Sequence, residues 1–237
     1  MNVDTNTDKR LRTLSLFSGI GGIELGLQRW CRTVCHVELD SYAQAVLCKN
    51  MAAGNLDVAP IWDDVTTFGE SEIETVGPIE CITGGFPCQS YSTSHTTGKT
   101  RACMFVEMLR LVQRIRPRFV FAENVSKKAI STAAECFEAI GYDTEMAKVS
   151  AHDLGGDHLR RRYWVLAHAE HKRKLLCAID GEKMGKLQTV GQDIWQSDPT
   201  IIRVSNGVSG WVDRIRCLGN AVVPQCAEKA FELLMEM

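Results

Sequence analysis

A cysteine, a glutamate and a run of arginines are the residues best suited to covalent chemistry. Cys88 lies in GGFPCQSYS, 84–92, directly after an apolar run that reads as a strand. The two glycines ahead of it let the backbone turn sharply. Its neighbours Pro87, Gln89, Ser90 and Ser92 form a loop rather than an apolar stripe. A thiolate in such a loop could act as a nucleophile; free cysteine is otherwise a small buried hydrophobe, and context alone leaves both readings open. Glu123 closes the apolar run RFVFAE, where a carboxylate is costly to bury without a partner. It could instead favour the dipole of a following helix. Arg160, Arg161 and Arg162 open the run RYWVLA. On a strand Arg160 and Arg162 point the same way. That pair suits an anion clamp or a salt-bridged strand end.

A second constellation suits a nucleoside. LSLFSGIGGIELGL, 14–27, reads as strand, glycine turn and helix start. Gly19, Gly21 and Gly22 permit a tight turn and close ligand approach, and the helix beyond presents free N–H groups. A dinucleotide fingerprint would need a third glycine at 24, where Glu24 stands, so a nicotinamide cofactor is disfavoured. Glu38 follows Gly19 by 19 residues, at the end of a second strand. There it could accept both hydroxyls of a ribose, or simply be solvated beside an ordinary turn.

The elements that must position these residues alternate. Strands are predicted at Leu14–Phe17, Thr33–Glu38, Ile79–Thr83, Arg118–Glu123, Tyr142–Ser150 and Arg162–Ala167. Helical periodicity marks Tyr42–Met51, Met104–Ile115, Ala129–Ile140 with Gly141 as its C-cap, and a terminal stripe through Ala227, Ala230, Phe231 and Leu234. Strand–helix alternation predicts an α/β fold with a mostly parallel sheet and flanking helices. The pattern breaks after His168, which predicts a small insert at 169–211. The expected division is a mobile lead (1–12), a catalytic, cofactor-binding body (13–168 and 212–237) and that insert between its two parts.

Composition narrows the classes. The chain has 237 residues, 45% hydrophobic and 24% charged, enough to bury a sizeable core. Its ten cysteines include no CxxC pair, so zinc ribbons and fingers lack their ligand spacing, and no metal is expected. The polar Met1–Arg12 stretch argues against a signal peptide, and no apolar run reaches the ~18 residues of a membrane span. The expected compartment is a reducing cytosol. The net charge of −2 does not exclude nucleic acid, whose binding needs a basic face rather than a basic total.

Taken together and in order, FSGIGGIELG at 17–26, Glu38, Asp64-Val65, GGFPCQSYS at 84–92, Glu123-Asn124-Val125, HLRRRYW at 158–164 and LGNAVVPQ at 218–225 resemble the DNA (cytosine-5) methyltransferases. The resemblance implies an S-adenosylmethionine-dependent, Rossmann-like methyltransferase fold. It implies that Phe17, Ser18, Gly19, Gly21 and Gly22 hold S-adenosylmethionine, with Glu38 on its ribose and Asp64-Val65 at its adenine. Asn220 and Ala221 would complete the pocket. Cys88 would be the nucleophile, Glu123 would hold the cytosine ring, and Arg160 and Arg162 would steady the flipped base. Gln89, Ser90, Ser92, Lys99 and Arg101 would contact double-stranded DNA from the cysteine loop. The basic cluster of Lys172, Arg173 and Lys174 in the early insert reads either as a solvated loop or as a phosphate-contacting face. A cognate restriction endonuclease is a candidate partner, no membrane is implied, and a monomer is favoured. The alternatives are a catalytically weak DNA-binding or regulatory relative and an RNA cytosine-5 methyltransferase. The run GGFPCQS looks like the DNA branch. The sequence departs from the family in its short recognition region, about 43 residues, and in Gly156-Asp157 where Ala-Pro is usual. This resembles compact forms carried by phages, and it predicts a short or degenerate target.

Overall fold

The computed structural model describes residues 8–87, 104–157, 159–169 and 217–236. Among the described residues seven strands form one sheet: β1 (Leu11–Leu16), β2 (Cys31–Val37), β3 (Ile61–Trp62), β4 (Cys81–Gly85), β5 (Phe119–Asn124), β6 (Asp143–Ser150) and β7 (Arg161–His168). Their order is β3-β2-β1-β4-β5-β7-β6. β1 to β5 are parallel, and β7 is antiparallel to both β5 and β6. The helices are α1 (Gly22–Leu27), α2 (Ser41–Ala52), α3 (Glu70–Val76), α4 (Met104–Ile115), α5 (Lys127–Ala139) and α6 (Pro224–Glu236). The α/β, mostly parallel architecture is the one the alternation predicts.

The central strands carry almost continuous burial because helices cover both faces. β5 shows how one strand serves two cores. Val120 and Ala122 join the cluster with Leu14, Met108, Leu111 and Phe137. Phe119 and Phe121 join the opposite cluster with Leu27, Trp164 and Phe231. Phe121 stacks on Trp164 at 5.0 Å and meets Phe231 edge-on at 5.3 Å, so the terminal helix is keyed to the strands that carry Glu123 and the arginines. Glycine lets the same helix approach α1. A Cβ on Gly26 would stand 2.3 Å from the Pro224 carbonyl oxygen and 2.9 Å from the Ala227 Cβ.

The topology places the chemistry. From β1 the chain winds outward to β2 and β3, then crosses back to β4 on the other side of β1. The crevice of such a sheet opens at the carboxyl ends of β1 and β4. The carboxyl end of β5 lies on the same edge. Antiparallel β7 begins there too, with Asn124 opposite Tyr163 and Glu123 opposite Trp164.

Three details differ from the sequence reading. β3 is too short to show a pattern, and α3 buries no residue, which leaves no apolar stripe to detect. β1 begins at Leu11, which is buried, and Arg10 forks Asp57 at 3.1 and 2.9 Å. Residues 10–12 are therefore structural rather than part of a mobile lead, because Arg10 and Leu11 each have a partner in the body. The C-cap reading holds: Gly141 adopts φ 90° and donates to the Glu138 carbonyl at 2.9 Å. Among the described residues no helix is long and apolar enough to cross a membrane.

Candidate active site

The glycine turn after β1 is fixed from two sides. The Gly19 N–H donates to Glu38 Oε2 at 2.7 Å, and the Asp40 N–H donates to Glu38 Oε1 at 2.8 Å. Glu38 thus links the turn to the start of α2, which Asp40 caps by accepting from the Tyr42 and Ala43 amides. A carboxylate has about four lone-pair sites, so two remain for ligand hydroxyls. Phe17 sits in the left-handed region at φ 53°, an uncommon state for a residue with a side chain. The neighbouring Gly19 (φ 55°) faces open space, with nothing within 4 Å of where its Cβ would stand.

The other glycines of the turn do different work. A Cβ on Gly22 would lie 2.3 Å from the Val222 carbonyl oxygen, so Gly22 receives the terminal segment rather than facing the opening. One on Gly21 would press on Leu56 and Leu47. Ser18 is buried, and its hydroxyl turns beneath the turn toward Ser15. Asp64 accepts from the Thr66 amide and hydroxyl, at 2.9 and 2.8 Å, which hold its carboxyl below the usual range. The Val65 side chain is buried in the core, and its carbonyl accepts from Arg110 at 2.9 Å. Leu39, which the sequence reading passed over, is 76% exposed beside Glu38 and adds apolar surface there. Its signal was its place, directly after the carboxylate that ends β2.

These features fit a nucleoside cofactor such as S-adenosylmethionine. An open glycine, a carboxylate with spare acceptor capacity and an exposed apolar side chain adjoin the β1–β4 crevice.

The second half of the site is an acid among arginines. Glu123, at the end of β5, is 7% exposed. Burial pushes its pKa up to about 7, against the opposing pull of Arg162 and Arg160. Arg162 Nε lies 2.7 Å from Glu123 Oε1, and both side chains are nearly buried. Gly85, opposite Glu123 in the β4–β5 register, makes room for the acid, since a Cβ there would stand 2.8 Å from Glu123 Oε2. The glycine pair before the cysteine therefore serves packing as well as turning.

Arg160 is placed differently from expectation. Its guanidinium donates to the carbonyl oxygens of Leu218 (3.4 Å), Gly219 (2.6 Å) and Ala221. It binds the terminal motif to the body, while Arg162 alone touches Glu123. Asn220 and Ala221 are thereby carried to the same edge as the arginines. Asn124, part of the Glu123-Asn124-Val125 motif, received no role in the sequence reading. It is 2% exposed, donates through Nδ2 to the Phe86 carbonyl at 2.9 Å and accepts from the Ser126 amide. Phe86 is also packed on Phe105 at 5.0 Å, so the strand that leads to Cys88 is pinned two residues before the cysteine. Cys88 itself lies outside the described residues, as do Gln89, Ser90, Ser92, Lys99, Arg101, Lys172, Arg173 and Lys174. Among the described residues no group of three or more His, Cys, Asp or Glu side chains stands together to hold a metal.

Comparison with known proteins adds independent findings. A family model described as C-5 cytosine-specific DNA methylase matches residues 11–201. The type II methyltransferase M.CviJI of Paramecium bursaria Chlorella virus IL3A is 27% identical over 229 residues, covering 93% of this chain and 58% of that protein. A DNA modification methyltransferase encoded within an E. coli prophage superposes with TM-score 0.54 at 28% identity, over 67% of this chain and 46% of that one. The S. pombe Dnmt2 methyltransferase shares the fold at TM-score 0.56 and 23% identity, over 68% and 52% of the two chains. This chain spans about half the length of the curated relatives it matches.

Proposed function

The chain belongs to the C-5 cytosine-specific DNA methylase family, and from that premise we propose that it methylates carbon 5 of a cytosine flipped out of duplex DNA, using S-adenosylmethionine and a covalent Cys88 adduct. The observation that carries this reading is Glu123: a buried acid with its pKa raised to about 7, 2.7 Å from Arg162, on the sheet edge where β4 ends three residues before Cys88 in sequence.

The residues divide the work. Phe17, Ser18 and Gly19 would hold S-adenosylmethionine from the turn, with Glu38 on its ribose. Asp64-Val65, Gly21-Gly22 and Asn220-Ala221 would close the surrounding wall. The bound cofactor supplies an electrophilic methyl group. Carbon 5 of cytosine is a poor nucleophile while the ring is aromatic. The Cys88 thiolate adds to carbon 6, forming a sulfur–carbon bond and pushing the electron pair toward carbon 5. Glu123 holds a proton at ring nitrogen 3, where charge develops. An acid titrating near neutrality is suited to that exchange. Arg162 keeps the Glu123 carboxyl aimed, and Arg160 keeps the terminal motif against the arginine strand. Carbon 5 would take the methyl group, whose bond to the cofactor's sulfur breaks to leave a neutral thioether. Water would then take the carbon-5 proton, and the electron pair left behind re-forms the ring double bond as the sulfur–carbon bond breaks, restoring the Cys88 thiolate and returning the ring-nitrogen proton to Glu123.

The duplex must release the base, at a cost of roughly a few kcal/mol. Contacts from Gln89, Ser90, Ser92, Lys99 and Arg101 would offset it. Lys172, Arg173 and Lys174 would add sequence-independent phosphate contacts. The insert, about 43 residues, offers few side chains for base edges, so the expected target is about two to four base pairs or degenerate. A cytoplasmic monomer, with or without a cognate endonuclease, completes the reading. Bisulfite sequencing of DNA from cells expressing the chain tests it. Conversion-resistant cytosines in one short context are expected, absent with Cys88→Ser. An unmodified genome, or modification confined to RNA, overturns it.

A further inference from the structure

A buried polar chain beneath the glycine turn has no part in the chemistry above. Glu24, on α1, is 6% exposed and faces the sheet rather than solvent. The Ser15 hydroxyl, on β1, donates to Glu24 Oε1 at 2.5 Å, and Thr83 Oγ1, on β4, donates to the same oxygen at 3.5 Å. Ser15 has then spent its one proton. The Ser18 hydroxyl, 2.6 Å from Ser15 Oγ and 3.1 Å from the Ser15 carbonyl oxygen, then spends its own proton on Ser15. By the same count His36 Nδ1, 3.3 Å from Ser18 Oγ, donates to it. Burial lowers the His36 pKa to about 4, so the ring is neutral, and since Nε2 finds no partner among the described residues the proton belongs on Nδ1. The tether thus starts at His36, passes through Ser18 to Ser15, and ends on Glu24.

The chain ends at the point where the turn needs support. Ser18 stands between Phe17, at φ 53°, and Gly19, whose amide is held from the other side by Glu38. A residue in that left-handed conformation persists only where its surroundings over-determine it. Burial raises the Glu24 pKa. Its Oε2 finds no hydrogen-bond partner among the described residues, so Glu24 meets the tether through Oε1.

We propose that Glu24 is a positioning residue for the cofactor: as the terminal acceptor of the His36–Ser18–Ser15 chain it fixes the Phe17–Gly19 backbone on which S-adenosylmethionine is received. The inference rests on the cofactor reading of the same turn. What Glu24 supplies is an acceptor oxygen, not a charge. Glutamine supplies the same oxygen; leucine fills similar volume and supplies none.

The test uses the full chain with Glu24→Gln, Glu24→Leu and Ser18→Ala. Calorimetry gives the Kd for S-adenosylmethionine, and amide hydrogen exchange across 18–22 is followed without cofactor. Glu24→Leu and Ser18→Ala should raise Kd about tenfold or more and speed exchange, whereas Glu24→Gln stays within about threefold of the parent. A folded Glu24→Leu protein with parental Kd overturns the proposal, as does Glu24→Gln as impaired as Glu24→Leu. Should Glu24→Leu fail to fold, Ser18→Ala decides: unchanged Kd and exchange refute the tether. A parent chain that binds no S-adenosylmethionine fails the cofactor reading itself. The exchange measurement then still decides the tether, and unchanged rates in the variants overturn it.

Discussion

Glu24 and Glu123 are two buried carboxyls at the same end of one sheet, and their neighbours make them different reagents. Among the described residues the side chains that meet Glu24 are the hydroxyls of Ser15 and Thr83, and burial raises its pKa. Glu123 is buried to a similar degree, but Arg162 stands at 2.7 Å and Arg160 adds its field. The arginines work against desolvation, and the balance falls at about 7. Burial alone thus makes a quiet acceptor suited to holding a backbone. Burial opposed by cations makes an acid that exchanges its proton near neutrality.

The largest expected effect lies on the Glu123 side. Cys88→Ser should bring methylation below detection and leave S-adenosylmethionine affinity intact, because a serine hydroxyl is far less ionised than a thiol at neutral pH. Peptide mapping after reaction with DNA containing 5-fluorocytosine should find the adduct on Cys88, and an adduct elsewhere would refute the assignment.

The matched pair of glutamines tests the comparison itself. Glu123→Gln cannot exchange a proton and should lower kcat by about 10²–10⁴-fold. Glu24→Gln keeps its oxygen and should change kcat little. Single-turnover rates for the two variants give the contrast directly, and equal losses would erase the distinction between the two acids.

Next comes the upper side of the turn. Glu38→Ala should weaken S-adenosylmethionine binding by about 1–3 kcal/mol, the range for hydrogen bonds to a charged group. It also frees the Gly19 and Asp40 amides. Calorimetry showing parental affinity would separate Glu38 from the pocket.

The smallest effect is a displaced pH limb. Glu123 acts protonated, so kcat should fall as pH rises through about 7. Arg162 favours the carboxylate and holds that pKa down. Arg162→Met removes the charge, so the limb should move to higher pH. A kcat–pH profile checks the direction, and a limb that stays in place would show that another group controls it.

Individual residues of the site were legible in the sequence because each ends a recognisable apolar run. Glu38, Glu123 and the glycine turn stand where strands stop, and the strand ends of such a sheet form its working edge. Alternation likewise predicts Arg160 and Arg162 on one side of a strand, but β7 begins at Arg161 and leaves Arg160 ahead of it. Their division of labour was not legible. Nothing local says that Arg162 reaches Glu123 while Arg160 holds the Gly219 and Ala221 carbonyls, 59 and 61 residues away. α3 and β3 were missed because one buries no residue and the other is two residues long. Glu24 registered only as a departure from a glycine fingerprint.

By itself, then, the sequence determined the element types, the strand-end acids and the order of the motifs, because periodicity and turn chemistry act over a few residues. Only the tertiary structure decided which acid has arginines and which has hydroxyls. It set β7 antiparallel to β5, which brings the start of the arginine strand against Glu123. It also folded α1 over β1 and β4, which encloses Glu24 with Ser15 and Thr83. A carboxyl's proton affinity is set by desolvation and by charges within a few ångströms, and both come from chain segments far apart in sequence.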